Sequence, residues 1–306
     1  MASIVYPAVA TAKARVLARE NFNGVFIQLG SVATAEMASR AGFDFVLLDQ
    51  EHGLGSEATT LAQLQAVSGS PSCVPIVRLA NNDVHLFKRA LDAGACGIMV
   101  PWVEEAAGAI KAATAMHYPP HGVRGLAKTT RATNFGAAFD EYFDHARARL
   151  LLVAQIETAK GVAAAAEIAA VEGVDVLFVG PTDLGCSLAG GKPLAFDDPQ
   201  LVAARRAVAD AARAAGKAAG ILCMAPEHIP AVRGEGFSFV MLGEAAARAR
   251  AHAAPPGATR FPLTPLPLFR FTPKQARTRA PPRRGCGASR RRFVCSRSYA
   301  LYHSVP

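Results

Sequence analysis

Much that would settle a function class at sight is missing from this sequence. No apolar run approaches the roughly 20 residues that a membrane-spanning helix needs, so no membrane partner is expected. The six cysteines (Cys73, Cys96, Cys186, Cys223, Cys286 and Cys295) form no CxxC pair and no framework spacing, which removes the pattern of a zinc site or a disulfide scaffold. Four of them, in or beside apolar runs, read as buried reduced thiols. The opening "MASIVYPAVATAKARVLARE" has no charged stretch ahead of its short apolar part, so it does not read as a secretory signal. Lys13, Arg15 and Arg19 leave a weak organelle-targeting pattern; cytoplasm is the expected location.

Acidic residues are wholly absent from 255–306, a stretch that holds 11 Lys and Arg. The net charge of +9 therefore belongs to the end of the chain, because residues 1–254 carry 22 basic against 24 acidic groups, or −2. Overall charge suggests a nucleic-acid or anionic-surface binder; its location removes that reading for the body. The end segment has Pro at nine positions, clustered Arg and no periodicity. It cannot bury enough surface to offset its ordering entropy, so a disordered basic tail is expected over 255–306. An RNA- or lipid-binding arm is the sharper alternative. Arg runs without interleaved stacking aromatics favour a solvated extension, and no nucleic-acid partner is expected.

What residues 1–254 do contain is a repeating pattern. Eight β-rich apolar runs occur: "GVFIQLG" (24–30), "FDFVLLDQ" (43–50), "VPIVRLA" (74–80), "CGIMVPW" (96–102), "LLLVAQIET" (150–158), "VDVLFVGPTD" (174–183), "KAAGILCM" (217–224) and "FSFVMLGE" (237–244). Continuous rather than alternating apolar runs are the habit of parallel strands covered on both faces. Alanine-rich segments such as "NDVHLFKRALDAG" follow them, opening near Asp, Asn, Ser or Thr and several closing on Gly, as helix caps do. Eight such units in about 250 residues predict one (β/α)8 barrel over 1–254. A doubly wound open sheet is the alternative, usually with fewer units. The link over 103–149 is long, a helix and then "YPPHGVRGLAKTTRATNFG"; links of that size are usually functional.

In a barrel of this kind catalytic groups come from the C-terminal ends of several strands. The second run ends in Asp49, Glu51 and His52, the third in Arg78, the fifth in Gln155 and Glu157, and the sixth in Asp183 after "GPT". Glu157 and Asp183 fall on sequential strands, whose backbones lie about 4.8 Å apart. Two such carboxylates repel unless a cation sits between them. Mg²⁺ accepts one or two carboxylates and keeps its other positions for water and substrate oxygens. No His/Cys cluster accompanies them, so an oxygen-ligated ion fits better than zinc. The alternative without a metal pairs Glu157 with Arg78.

Together "DQEHG", "VPIVRLANND", "IMVPWVEEAAGA", "YPPHGVRG", "VAQIET" and "VEGVDVLFVGPTDLG" resemble the HpcH/HpaI family of metal-dependent pyruvate aldolases, in order and from about residue 24 to 250. The resemblance implies a (β/α)8 barrel of the phosphoenolpyruvate/pyruvate-binding type, a Mg²⁺, Mn²⁺ or Co²⁺ ion, and carbon–carbon chemistry through a pyruvate enolate. It also implies a homo-oligomer, trimer or hexamer. Carried over position by position, it implies Glu157 and Asp183 as metal ligands, and Gln155 with the backbone at Thr182 as pyruvate contacts. Arg78 would stabilise the developing enolate and His52 would be the general base. Asp92, in "RALDAG", would raise the basicity of that histidine. Asp92 falls near the C-terminus of a predicted helix, the wrong end to touch His52 in a lone barrel. An unusual helix register, a neighbouring subunit, or Asp49 in its place are the alternatives. The family's "RGxG"-like turn reads "RGLA" here, a departure on the expected aldehyde side.

The function expected is cleavage of a 4-hydroxy-2-oxo acid to pyruvate and an aldehyde. Oxaloacetate decarboxylation to the same enolate, as in the related macrophomate synthase, is the alternative within the same site. A basic-tailed binding protein on an inactive barrel is opposed by the intact Glu157, Asp183, Arg78 and His52 set. A phosphate-binding isomerase lacks its Gly-rich loop after the seventh and eighth runs. His121 is an outside candidate for substrate contact; His85, His117, His145, His228 and His252 are expected to have no catalytic role. Trp102 is expected at the barrel mouth, either walling the pocket or packing.

Overall fold

The structure, a computed structural model, describes residues 9–243. The expected tail lies outside the described residues, as do Cys286, Cys295 and His252. Eight strands close into a parallel barrel in sequence order: β1 (Phe22–Ile27), β2 (Phe45–Asp49), β3 (Val74–Arg78), β4 (Gly97–Val100), β5 (Leu151–Ile156), β6 (Val176–Val179), β7 (Ala218–Cys223) and β8 (Phe239–Leu242). All eight apolar runs became strands. Helices surround them: α1 (Val9–Leu17), α2 (Val32–Arg40), α3 (Glu57–Val67), α4 (Val84–Asp92), α5 (Ala106–Met116), α6 (Phe139–Arg149), α7 (Ala159–Ala163), α8 (Ala165–Ala170), α9 (Pro181–Ala189), α10 (Pro199–Ala214) and α11 (Ile229–Gly234). Ser31, Ser56, Asp83, Thr158 and Asp198 each accept a first-turn N–H and so set where α2, α3, α4, α7 and α10 begin. Among the described residues no helix is long and apolar enough to cross a membrane.

One end of the barrel is plugged by aromatics. Phe22, Phe45 and Phe239, each the first residue of its strand, stack with centroids 5.5, 5.8 and 4.2 Å apart, and Phe178 meets Phe239 edge-on at 6.2 Å. Glycine makes room for them: a Cβ at Gly24 would stand 2.3 Å from the Phe45 ring, and one at Gly220 2.6 Å from Phe178. Truncating such a ring to alanine costs about 3–5 kcal/mol. With that end filled, only the C-terminal ends of the strands are left for chemistry.

Three features differ from expectation. First, a second helix, α6, closes the long link over 103–149, where one helix was expected. Its sequence "FDEYFDHARAR" buries only Ala146 fully, so it shows little apolar periodicity; Asp140 and Glu141 lie in the first turn and Arg147 and Arg149 in the last, which suits the helix dipole. Second, Lys13 and Arg15 belong to α1 and fasten it to the barrel. Lys13 pairs with Asp175 at 3.0 Å and Arg15 with Asp44 at 3.0 Å, at the N-terminal ends of β6 and β2. Third, the rest of the long link is tied to the end of α4. Arg124 donates to Asp92 at 2.9 Å and Arg131 to the Ala93 carbonyl at 2.8 Å. Helix C-termini in this fold lie at the N-terminal face of the sheet. Within one chain the link therefore does not border the strand C-terminal ends.

Candidate active site

Strand ends β2 and β3 stand side by side, with Asp49 opposite Arg78 in the register. Arg78 donates from Nε and Nη2 to the two oxygens of Asp49 at 2.8 and 2.7 Å, a bidentate fork, and its Nη1 lies 2.9 Å from Glu51. Its guanidinium rests on the Phe26 ring, 4.8 Å from the centroid. Asp49 also accepts from Gln28 at 2.8 Å and from the backbone N–H groups of Glu51 and His52 at 3.1 and 3.4 Å. Burial pushes the Asp49 carboxyl up, but the hydrogen bonds and charge of Arg78 outweigh it and hold the group below the usual carboxylate range. Asp49 is thus a fixed anion that orients Arg78 and folds the Asp49–His52 turn. A Cβ at Gly53 would come 2.0 Å from the Asp49 carbonyl, so the turn requires glycine there.

The His52 imidazole is 64% exposed and stands 4.0 Å from Glu51. Asp49 takes its backbone, not its ring. Burial raises the Glu51 carboxyl, and the charges of Asp49 and Asp183 add to this against Arg78 and His52.

On the other side of the mouth, Glu157 follows β5. Its Oε1 accepts from the Trp102 backbone N–H at 2.8 Å and its Oε2 from the Gln155 amide. Trp102 reaches it only by adopting φ = 53°, a left-handed conformation unusual for a bulky residue and worth of order 1–3 kcal/mol of strain. Gly180, which ends β6, lets the chain pass this pair. A Cβ there would lie 2.8 Å from Glu157 Oε2 and 2.9 Å from Gln155 Nε2. After Gly180, Pro181 opens α9, so Asp183 sits in the first turn of a helix rather than on the strand. Desolvation, with the charges of Glu51 and Asp183, drives the Glu157 carboxyl up to about 7 despite the Trp102 hydrogen bond. Gln155 Oε1 is buried and has no hydrogen-bond partner. A raised acid at a strand-end mouth, beside a second carboxylate and an unpaired amide oxygen, marks a candidate functional site.

The structure brings Asp49, His52, Arg78, Gln155, Glu157, Thr182 and Asp183 to the same end of the barrel. It does not bring Asp92 there. Asp92 is paired with Arg124, a fully buried side chain that also donates to Tyr142 at 3.1 Å and stacks on Tyr118 at 4.5 Å. His121 meets Arg147 of α6 at 3.2 Å, also away from the site. Gln28 went unnoticed in the sequence, although a polar residue closing "GVFIQ" was a signal of the same kind as Arg78. The Trp102 N–H and Gly180 carried no readable signal, because their roles are backbone approaches. Cys73, Cys96 and Cys223 are buried free thiols, and Cys186 is a partly buried one.

Residues 23–250 match the model of the HpcH/HpaI aldolase/citrate lyase family. The chain belongs to that family. A hydroxypyruvate/pyruvate aldolase of Chromohalobacter salexigens is 43% identical over 211 residues, 68% of this chain and 81% of the relative. Another, of Delftia acidovorans, is 41% identical over 232 residues, 76% of this chain and 85% of the relative. Among solved structures, an HpcH/HpaI aldolase/citrate lyase family protein from Burkholderia cenocepacia J2315 aligns with TM-score 0.75 and 33% identity, over 80% of this chain and 97% of that one. The HpcH/HpaI chain described here is accordingly an aldolase-type carbon–carbon lyase acting on small molecules.

Proposed function

We propose that this enzyme is a divalent-metal-dependent lyase that cleaves a 4-hydroxy-2-oxo acid to pyruvate and an aldehyde. The observation that carries the reading is the Glu157 carboxyl, raised to about 7 next to Asp183 and the unpaired Gln155 oxygen. The donors are hard oxygens, which suits Mg²⁺, Mn²⁺ or Co²⁺. Among the described residues no three His, Cys, Asp or Glu side chains form a ready-made cage. Glu157 and Asp183 would hold the ion, leaving positions for substrate oxygens. What such an ion supplies when bound is Lewis-acid polarisation of the substrate keto oxygen.

The remaining work falls to the chain's own groups. Arg78, its fork locked by Asp49 and its Nη1 turned toward Glu51, presents preorganised positive charge where the keto oxygen becomes negative. The first-turn N–H groups of Thr182 and Asp183 have no intrahelical acceptor, and the α9 dipole favours the substrate carboxylate there. His52, exposed at the mouth, takes the proton of the aldol hydroxyl as the carbon–carbon bond breaks. Oxaloacetate decarboxylation, the second reading, uses the same groups apart from His52.

A homo-oligomer belongs to this reading. With Asp49 occupied and Asp92 at the far end of its own chain, only a second copy can bring Asp92 to His52. The functional unit is the barrel over 1–254, with 255–306 as an appended tail. A pyruvate-release assay decides the reading. It would run a panel of hydroxy-oxo acids and oxaloacetate, with and without Mg²⁺, Mn²⁺ or Co²⁺. Pyruvate release that survives complete chelation would overturn metal dependence.

A further inference from the structure

The first strand brings two side chains to Arg78. Phe26 and Gln28 are two residues apart, the spacing that puts extended residues on one face. Phe26 lies under the guanidinium, 4.8 Å from carbon to ring centroid. Gln28, one residue past the end of β1, reaches the same guanidinium through Asp49, to which its Nε2 donates at 2.8 Å.

The two oxygens of Asp49 are held differently. Oδ1 accepts from Arg78 Nε and from the backbone N–H groups of Glu51 and His52. Oδ2 accepts from Arg78 Nη2 at 2.7 Å and from the Gln28 amide at 2.8 Å. The Asp49 side chain is fully buried, so water does not stand in for a donor lost at Oδ2. Meanwhile Glu51, 2.9 Å from Arg78 Nη1, competes for the guanidinium. A slackened Asp49 carboxylate would let Arg78 swing toward Glu51. Gln28 is itself clamped: its carbonyl accepts the Leu54 N–H at 2.8 Å, and Gly30, at φ = 64°, lets the two loops touch, since a Cβ there would meet Gly55 at 3.0 Å. The amide is presented from a fixed backbone.

We infer that Gln28 is a positioning residue for the reaction, its amide fixing the second oxygen of Asp49 and, through it, the direction of the Arg78 guanidinium. The inference rests on the aldolase reading above and on the enolate role of Arg78 within it. Gln28 acts through Asp49, all within one chain. The turn that carries His52 hangs on the other oxygen, Oδ1, and on the Gln28 carbonyl, which a side-chain substitution leaves in place. Loss of the amide should therefore weaken the stabilisation of charge on the keto oxygen and spare the proton transfer by His52. Aldol cleavage and oxaloacetate decarboxylation both develop that charge, whereas only cleavage needs His52.

The experiment measures pyruvate release by full-length enzyme with Mg²⁺ or Mn²⁺, from oxaloacetate and from a hydroxy-oxo acid that the wild type cleaves. Gln28→Met, of similar length but without a donor, should lower kcat for both substrates by the same factor. That factor is roughly tenfold, the size of one lost hydrogen bond to a charged group, with KM little changed. Gln28→Glu supplies a readout that a packing role would not move. Protonated, the new carboxyl donates to Asp49 as the amide does; ionised, it faces Asp49 as a like charge. The ratio of its decarboxylation kcat to that of the wild type should therefore fall roughly tenfold between about pH 5.5 and about pH 8.5. Wild-type kcat in Gln28→Met, a ratio in Gln28→Glu that is flat with pH, or cleavage lost far beyond decarboxylation would each overturn the inference and leave the aldolase reading standing. A lower Tm without these kinetic signatures assigns Gln28 to stability alone, and also overturns it. A wild type that releases no pyruvate from any hydroxy-oxo acid or from oxaloacetate overturns both.

Discussion

The two ends of this barrel use the same residue types to opposite effect. At the N-terminal face, charges are matched: Lys13 with Asp175 at 3.0 Å, Arg15 with Asp44 at 3.0 Å, Arg124 with Asp92 at 2.9 Å. At the mouth they are not. Glu51, Glu157 and Asp183 crowd one another, Gln155 has an unpaired oxygen, and Trp102 is held in a strained conformation. A fold whose stability is a small difference between large terms keeps such frustration only where function needs it. Charge pairing, not residue identity, distinguishes the structural end from the reacting end.

The largest effect should come from the least satisfied groups. Glu157→Gln or Asp183→Asn is expected to abolish lyase activity with an unchanged circular dichroism spectrum, since each removes ligand charge at a site already short of cations. Retained turnover in either variant would refute the paired-carboxylate metal site. Next comes Arg78→Ala, which should depress aldol cleavage and oxaloacetate decarboxylation alike, by roughly a hundred- to thousandfold. Lys should rescue only in part, because a point charge cannot form the fork with Asp49. His52→Ala should impair aldol cleavage far more than decarboxylation, whose substrate has no hydroxyl proton to remove. Equal losses in both reactions for both variants would merge the two roles.

A thermodynamic test follows from Glu157. Its folded value of about 7 lies above the ordinary 4.5, so the metal-free native state binds the extra proton. Stability should be full below about pH 4.5 and fall as pH rises toward about 7, by roughly 3 kcal/mol on this group's account. Urea unfolding of chelator-treated protein would show the slope, and Glu157→Gln should flatten it. An identical slope in the variant would place the titration elsewhere.

Asp92 probes the other end. Asp92→Asn should lower Tm by weakening its contact with buried Arg124. If a second copy presents Asp92 to His52, the acidic limb of the aldol pH profile should shift as well. A lower Tm with an unmoved profile would leave Asp92 a structural residue only. The smallest effect is expected from truncation after residue 254: a folded enzyme with wild-type kcat. Loss of folding would show the tail to be part of the barrel's structure.

Most of the fold was legible because strands covered on both faces need uninterrupted apolar residues, and every such run here became a strand. α6 was not, because it rests on the barrel's outside with one fully buried residue and has little apolar pattern to read. In the site, Asp49, Arg78, Gln155 and Glu157 were legible as polar groups terminating buried runs. Gln28 offered the same signal more faintly.

The chain's order of residues by itself determined the eight strand–helix units and which ionisable groups close each strand. These follow from local rules: apolar runs bury, caps start helices, and parallel strands joined by helices put every strand C-terminus at one mouth. Only the tertiary structure decided what those groups do to one another. That Asp49 locks Arg78, that Trp102 turns its N–H onto Glu157, and that Asp92 is held by Arg124 at the opposite end all depend on contacts between distant segments. Electrostatic interaction depends on distance and burial, and residues 29 to 55 apart in sequence acquire both only when the barrel closes.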